Sequence, residues 1–255
     1  MVLWVTLAQL GAGILVASWC TRRSEVGDPF LRFLALWGGA LLAPLVLQAT
    51  GAAAWSVGLA VVLCVLLASL VTAGLGPAGV WLRLPAGAAA LLGLALGAAE
   101  HPASGVLRDE GTLRLGADAW SSSLLLGTTC AAMLLGHRYL VNAGMPVAPL
   151  VRLAAMIGGA AIAKGVLLIL TAEVRGWPPP SQGWAIALLL PPGLFYLLRV
   201  GIGVVAPLLL APLVWRTARM QSTQSATGIL YAALVFVLIG ELSARFLQLR
   251  TILPY

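Results

Sequence analysis

Apolar stretches long enough to cross a lipid bilayer run through most of this 255-residue chain. Only a few ionisable side chains interrupt them. Lys164, Arg199, Glu241 and Arg245 each sit inside such a stretch. A charge at the bilayer centre costs at least about 2.5–3.5 kcal/mol. Each of the four therefore needs a partner or a task.

Composition supports the membrane reading. Hydrophobic residues make up 61% of the chain and charged ones 9%, where a water-soluble domain carries about 25%; mean hydropathy is +1.01. No segment between the apolar runs is long enough for a soluble domain, so the sequence predicts one integral membrane domain over 1–255. The formal charge of +7 comes from 14 Arg and one Lys against eight acids. These arginines are scattered over short inter-helix loops without a basic stripe or an aromatic platform. That pattern fits positive-inside topology and speaks against a nucleic-acid partner.

A spanning helix needs about 20 mainly apolar residues. Seven segments qualify: 3–19, 30–50, 54–75, 85–99, 119–137, 148–171 and 228–249. The first lacks a basic leader and a small-residue cleavage site, so it reads as a retained span. The stretch 183–215 would be about 50 Å long as a single helix, too long for a hydrocarbon core of about 30 Å. Pro191-Pro192 supplies the break. The sequence then predicts a span over 193–215, with 183–190 as an interfacial lead-in, although two short segments around Arg199 stay open as an alternative. The expected fold is an all-α polytopic transmembrane helix bundle of about eight spans.

Eight spans place both termini on one side of the membrane. One set of loops then holds Arg22, Arg23, Arg32, Arg83, Arg138, Arg152, Arg216 and Arg219, and the other holds Arg108, Arg114, Arg175 and Arg250. The richer set is expected on the cytoplasmic side of the inner (cytoplasmic) membrane, with both termini extracytoplasmic. On that topology Lys164, Arg199, Glu241, Arg245 and Gln9 converge in the outer half of the bundle. Gln48, Glu100, His101 and Asp118 fall at the outer rim.

Glu241 and Arg245 are spaced i,i+4 and share a helix face, so they are expected to pair. Arg199 and Lys164 then remain as surplus cations suited to an anionic or carbonyl-bearing guest. Two plainer readings stand beside this one: Glu241 bridging Arg245 and Arg199 to lock helices, and Lys164 snorkelling to the interface. His137 and His101 are expected on opposite faces and cannot ligate one haem b together. No HExxH, P-loop, CxxC or two-carboxylate constellation is present, so no metal or haem bound by this chain and no autonomous hydrolase are expected. Cys64 and Cys130 read as apolar filler.

The segment Gly240-Glu241-Leu242-Ser243-Ala244-Arg245-Phe246 resembles the Gly-Glu-Leu-x-x-Arg near the C-terminus of dimethyl sulfoxide reductase anchor subunits. The predicted eight-helix layout without haem ligands is similar to that group and to the wider polysulfide-reductase (NrfD-like) membrane subunits. The resemblance covers about one span in eight, and the first six spans are not aligned with it. It implies a membrane subunit that binds a quinone and passes electrons to an iron–sulfur partner, which in turn feeds a catalytic subunit. Glu241 and Arg245 are the positions carried over.

Quinol oxidation releases two protons with two electrons, so it needs donors to the carbonyl oxygens and a proton acceptor. Lys164 and Arg199 are the expected donors, with Arg245, Tyr196 and Gln9 as further binding candidates and Glu241 as proton relay. The expected function is a non-autonomous subunit of a respiratory-type, quinone-linked oxidoreductase complex, surrounded by membrane lipid. A small-anion transporter using the same cations, with Pro207 and Pro212 hinging its helix, and a non-catalytic membrane scaffold are the alternatives.

Overall fold

The computed structural model describes residues 2–42, 111–142, 144–175 and 191–250. Among the described residues the ordered elements are all helical: α1 (Val2–Trp19), α2 (Arg23–Val26), α3 (Asp28–Ala40), α4 (Gly111–Val141), α5 (Ala148–Arg175), α6 (Pro191–Leu197), a π-helical segment π1 (Leu198–Val205), α7 (Ala206–Arg219) and α8 (Thr223–Arg250). Four stretches are long and apolar enough to cross a membrane: Gly116–Val141, Ala148–Leu170, Gly193–Arg219 and Thr223–Leu247. Val5–Trp19 is a shorter apolar helix. The chain is a helical membrane protein.

Four long spans and one shorter apolar helix are what the described residues hold of the eight expected. The spans expected at 54–75 and 85–99 and the lead-in at 183–190 lie outside the described residues, as does the part of 30–50 beyond Leu42. The other expected spans match, but α4 differs: it starts at Gly111, so Gly111–Asp118 is helix rather than loop. Leu113, Leu115 and Ala117, good helix formers, carry the helix through that segment.

The 193–215 region is neither an ordinary helix nor two separate pieces. α6, π1 and α7 form one rod, and the Ala206 amide bonds the Gly201 carbonyl in the wide i→i−5 register. Pro207 supplies a local reason. It lacks the N–H that an α-helix would aim at the Gly203 carbonyl, and its ring crowds that turn. Widening the helix there relieves both problems. Such π-bulges occur often at functional sites.

Polarity is arranged inside out. Ile169 is 63% exposed and Leu209 64% exposed, with Ile162, Val166, Leu213, Val235 and Ile239 also outward-facing. Ser122, Ser123, Thr128, Thr129, Lys164 and Glu241 are buried instead. Lipid solvates the outward methyl groups as well as a protein core would. Helix association must therefore come from close packing and interior polar contacts.

Two glycine crossings provide that packing. α1 lies along α4 where a Cβ on Gly13 would fall 2.8 Å from Gly127 Cα and closer still to the Ser123 carbonyl. π1 meets α8 where a Cβ on Gly203 would fall 2.5 Å from Gly240 Cα. Real Cβ atoms do not come that close. Phe195 and Phe246 stack next to the second crossing, with centroids 4.0 Å apart.

At one end of the bundle the arginines gather. Arg152 forks onto Glu25, with Nη1 to Oε1 at 3.1 Å and Nη2 on the other oxygen, and its Nε donates to the Cys20 carbonyl at 3.0 Å. This clamp ties α2 and the end of α1 to α5. Arg23 pairs with Asp28 at the same end.

Gly240→Ala is expected to lower stability by about 1–3 kcal/mol in detergent thermal unfolding, because overpacking cannot be relieved against a backbone. Gly159→Ala, where a Cβ meets nothing within 4 Å, is expected to leave the transition unmoved. The Glu25 clamp carries a pH signature. Hydrogen bonding from Arg152 holds the Glu25 carboxyl below its ordinary range. A lowered folded-state value means the stabilisation is complete above the unfolded carboxylate's pKa of about 4.3 and is lost as pH falls through the folded value. Glu25→Gln is expected to cost up to about 1 kcal/mol at pH 7, since water reaches the pair. Melting curves of the two proteins should converge as pH drops below about 4.

Candidate functional site

Helix direction decides which polar groups meet. α1 runs parallel to α4, because the Cys20 end of α1 and the Arg138 end of α4 share the basic end of the bundle. α8 runs antiparallel to α4: Gly136 packs on Thr227, and Ser122 and Glu241 are bridged by Lys164. Counting back from Gly136 to Ser122 spans the same number of residues as counting forward from Thr227 to Glu241, so one straight register explains both contacts. Lys164 lies about 24 Å along α5 from Ala148 and Glu241 about 27 Å along α8 from Thr223, at 1.5 Å per residue. Both therefore sit well away from the arginine-rich end.

Four ionisable side chains from four elements form one network. Lys164 Nζ lies 2.5 Å from Glu241 Oε1 and 3.8 Å from Asp118 Oδ1, and it also donates to Ser122 Oγ. Arg199 Nη2 donates to Asp118 Oδ1 at 2.7 Å. Asp118 is within electrostatic reach of Arg245 as well. Burial is graded across the network. The Lys164 and Glu241 side chains are each 2% exposed, whereas those of Asp118 and Arg199 are 12% and 14% exposed. Asp118 stands two residues inside the apolar window of α4, at its end, and Lys164 and Glu241 lie deeper.

π1 positions Arg199. The Gly203–Gly240 crossing holds π1 against α8 one residue from Glu241, and the widened turn carries Arg199 toward Asp118 on α4. Asp118 and Ser122 are spaced i,i+4, so one face of α4 offers a carboxylate and a hydroxyl to the same ammonium. The hydroxyls of Ser121, Ser123, Thr128 and Thr129 are used locally and donate to carbonyls three or four residues earlier.

Several polar atoms in this region keep unused capacity. Glu241 Oε2, Arg199 Nε and both amide atoms of Gln9 are buried without a hydrogen-bond partner. Gln9 is 1% exposed. It lies one turn before Gly13 on α1, within a turn of the Ser122 level on α4. Buried unmatched groups of this kind are uncommon and call for an explanation in water, ion or ligand.

The sequence-predicted residues fare differently. Lys164, Arg199 and Glu241 meet in one network. Among the described residues the ion-pair partner of Glu241 is Lys164, from a neighbouring helix, rather than the expected Arg245. Lys164 is fully enclosed and does not snorkel. Arg245 is half-buried on the Asp118 side, and Tyr196 is half-buried one turn before Arg199. Asp118, expected at the rim, stands at the end of the apolar span and also carries the junction between Lys164 and Arg199. Sequence reasoning missed Asp118 and Ser122, although their i,i+4 spacing beside a serine run was visible. His137 Nδ1 lies 3.2 Å from the Tyr231 hydroxyl, and His101 lies outside the described residues. Among the described residues no group of three His, Cys, Asp or Glu could hold a metal ion.

Comparison of the chain with protein-family models, curated proteins and solved structures returns no match.

Removing one member of a buried pair strands the other, at a cost of about 3–5 kcal/mol. Lys164→Met is therefore expected to lower stability by about that amount, and Lys164→Met combined with Glu241→Gln to recover a large part of it. A double-mutant cycle read by thermal unfolding checks this; additive losses would mean that the two groups are not coupled.

Proposed function

We propose that this chain is the membrane subunit of a quinone-linked, respiratory-type oxidoreductase complex, with the Glu241–Lys164–Asp118–Arg199 network as the proton-handling wall of its quinone site. The observation that carries the reading is the depth-graded network itself. A carboxylate enclosed in the bundle keeps Oε2 without a partner, and Lys164 joins it to a carboxylate at the end of the apolar zone. Oxidation of one quinol gives a quinone, two protons and two electrons. Glu241 Oε2 accepts the two protons one after the other, and Lys164 and Asp118 pass each of them toward the surface before the next is taken up. The electrons leave to an iron–sulfur partner subunit that feeds a catalytic subunit. Lys164 spends its donors on Glu241 and Ser122, so the hydrogen bonds to quinone oxygens fall to Arg199 Nε and Gln9 Nε2, with Tyr196 and Arg245 alongside.

The wider arrangement belongs to the same proposal. It comprises eight spans in the inner membrane, the arginine-rich end in the cytoplasm and both termini outside. The Gly240-to-Arg245 segment and its resemblance to dimethyl sulfoxide reductase anchor and polysulfide-reductase subunits support it.

One observation favours a scaffold reading instead. Asp118 and Glu241 balance Lys164 and Arg199 charge for charge, which is what a pure helix lock requires. The same balance weakens the small-anion transporter, because Lys164 and Arg199, the cations such a guest would need, are both answered by carboxylates.

In the isolated complex, Glu241→Gln is expected to reduce quinol turnover about a hundredfold, the lower range for loss of a general acid–base group, with subunit association unchanged. Intact turnover removes the relay role. Lost association with normal turnover per assembled complex favours the scaffold.

A further inference from the structure

At the opposite end of the bundle, Arg138 is the unusual residue. It stands at the C-terminal end of α4, half-buried, with its guanidinium face over the Phe30 ring, 5.3 Å from the centroid. That stacking uses the π face and leaves the in-plane N–H groups open. Among the described residues none of them has a hydrogen-bond or ion-pair partner, and Nε is buried without one. The neighbouring arginines differ: Arg23 is paired with Asp28 and Arg152 with Glu25.

Arg138 lines a cleft of about 590 Å³ together with Glu25, Gly27, Val141, Asn142 and Met145. Glu25 does not answer the Arg138 charge, because Arg152 occupies both of its oxygens. Gly27, at φ +74°, turns the chain without placing a side chain against the guanidinium, and a Cβ there would lie 3.8 Å from Nη2. The Tyr139 hydroxyl donates to the carbonyl of Pro146, the residue after Met145 of the cleft lining. The cleft thus presents one uncompensated planar cation and an exposed Asn142 side chain.

Its position selects the ligand. The apolar span of α4 ends at Val141, so the cleft lies where hydrocarbon gives way to headgroups. Leu140 is 45% exposed and Val141 75% exposed beside it, a surface that suits an acyl chain better than water. Basic pockets between helices at this level suit anionic headgroups. We infer that the Arg138 cleft is a binding site for an anionic phospholipid, its phosphate held by the in-plane N–H groups of Arg138 and by Asn142, its acyl chain along Leu140 and Val141. This site is separate from the Glu241 network and does not depend on the role proposed for it.

The test uses the full chain, delipidated in mild detergent and titrated with phosphatidylglycerol, with phosphatidylcholine and with inorganic phosphate. Retention is read by native mass spectrometry and stability by thermal unfolding. Wild type should retain phosphatidylglycerol about fivefold more strongly than phosphatidylcholine, the effect of one basic residue at the surface, and Arg138→Gln should bring that ratio to about one. Equal retention of both lipids by wild type, or an unchanged ratio in Arg138→Gln, overturns the inference. Should Arg138→Gln not fold, Arg138→Lys takes its place: it keeps the charge but lacks the planar fork, and its ratio must fall by about half. Inorganic phosphate stabilising the protein as strongly as phosphatidylglycerol would assign the cleft to a free anion and overturn the lipid assignment.

Discussion

The Lys164–Glu241 ion pair is the contact on which the rest of the interior depends. Neither charge can reach water, and neither could stay in hydrocarbon alone. Once they are paired, α5 and α8 are fixed in depth relative to each other. Ser122 and Asp118 then set α4 against both, and Arg199 completes the set through Asp118. A membrane bundle lacks the hydrophobic drive that squeezes water-soluble helices together, so interior pairs of this sort specify helix register more sharply than apolar contacts do.

Backbone contacts make the network reachable. Gly203 and Gly240 let π1 and α8 touch without intervening side chains, one residue before Glu241. Pro207 deprives the helix of a regular bond and the π-helical turn absorbs the defect. Arg199 rides on that turn. Local irregularity, close packing and the position of a charged side chain are thus one structural fact seen at three levels. The unmatched atoms of Glu241, Arg199 and Gln9 are consistent with a region built to hold something besides protein.

The two ends of the bundle divide their charges differently. The arginine-rich end uses its cations on surface clamps, on an aromatic ring and on one cleft facing the headgroup zone. The other end sinks its charges inward, in a gradient from the part-exposed Asp118 and Arg199 to the enclosed Lys164 and Glu241.

Much of this was legible in the residues. Runs of leucine, alanine and valine of bilayer length dictate helices, because lipid leaves no other way to satisfy the backbone. The same runs make Lys164, Arg199 and Glu241 conspicuous. Helix boundaries near 148 and 19 follow from composition alone, and the i,i+4 spacing of Asp118 and Ser122 was there to be read. Partner choice was not. Spacing within one helix favoured Glu241 with Arg245, yet Glu241 pairs with Lys164 from a helix far away in sequence. The start of α4 eight residues before the expected boundary, and with it the inward turn of Asp118, depended on neighbours rather than on hydropathy. One-dimensional pattern thus determined that the chain crosses lipid in helices and which charges must be accounted for. Only the tertiary structure decided which acid meets which base, because that choice rests on helix depth and rotation, set by glycine crossings between segments remote in the chain.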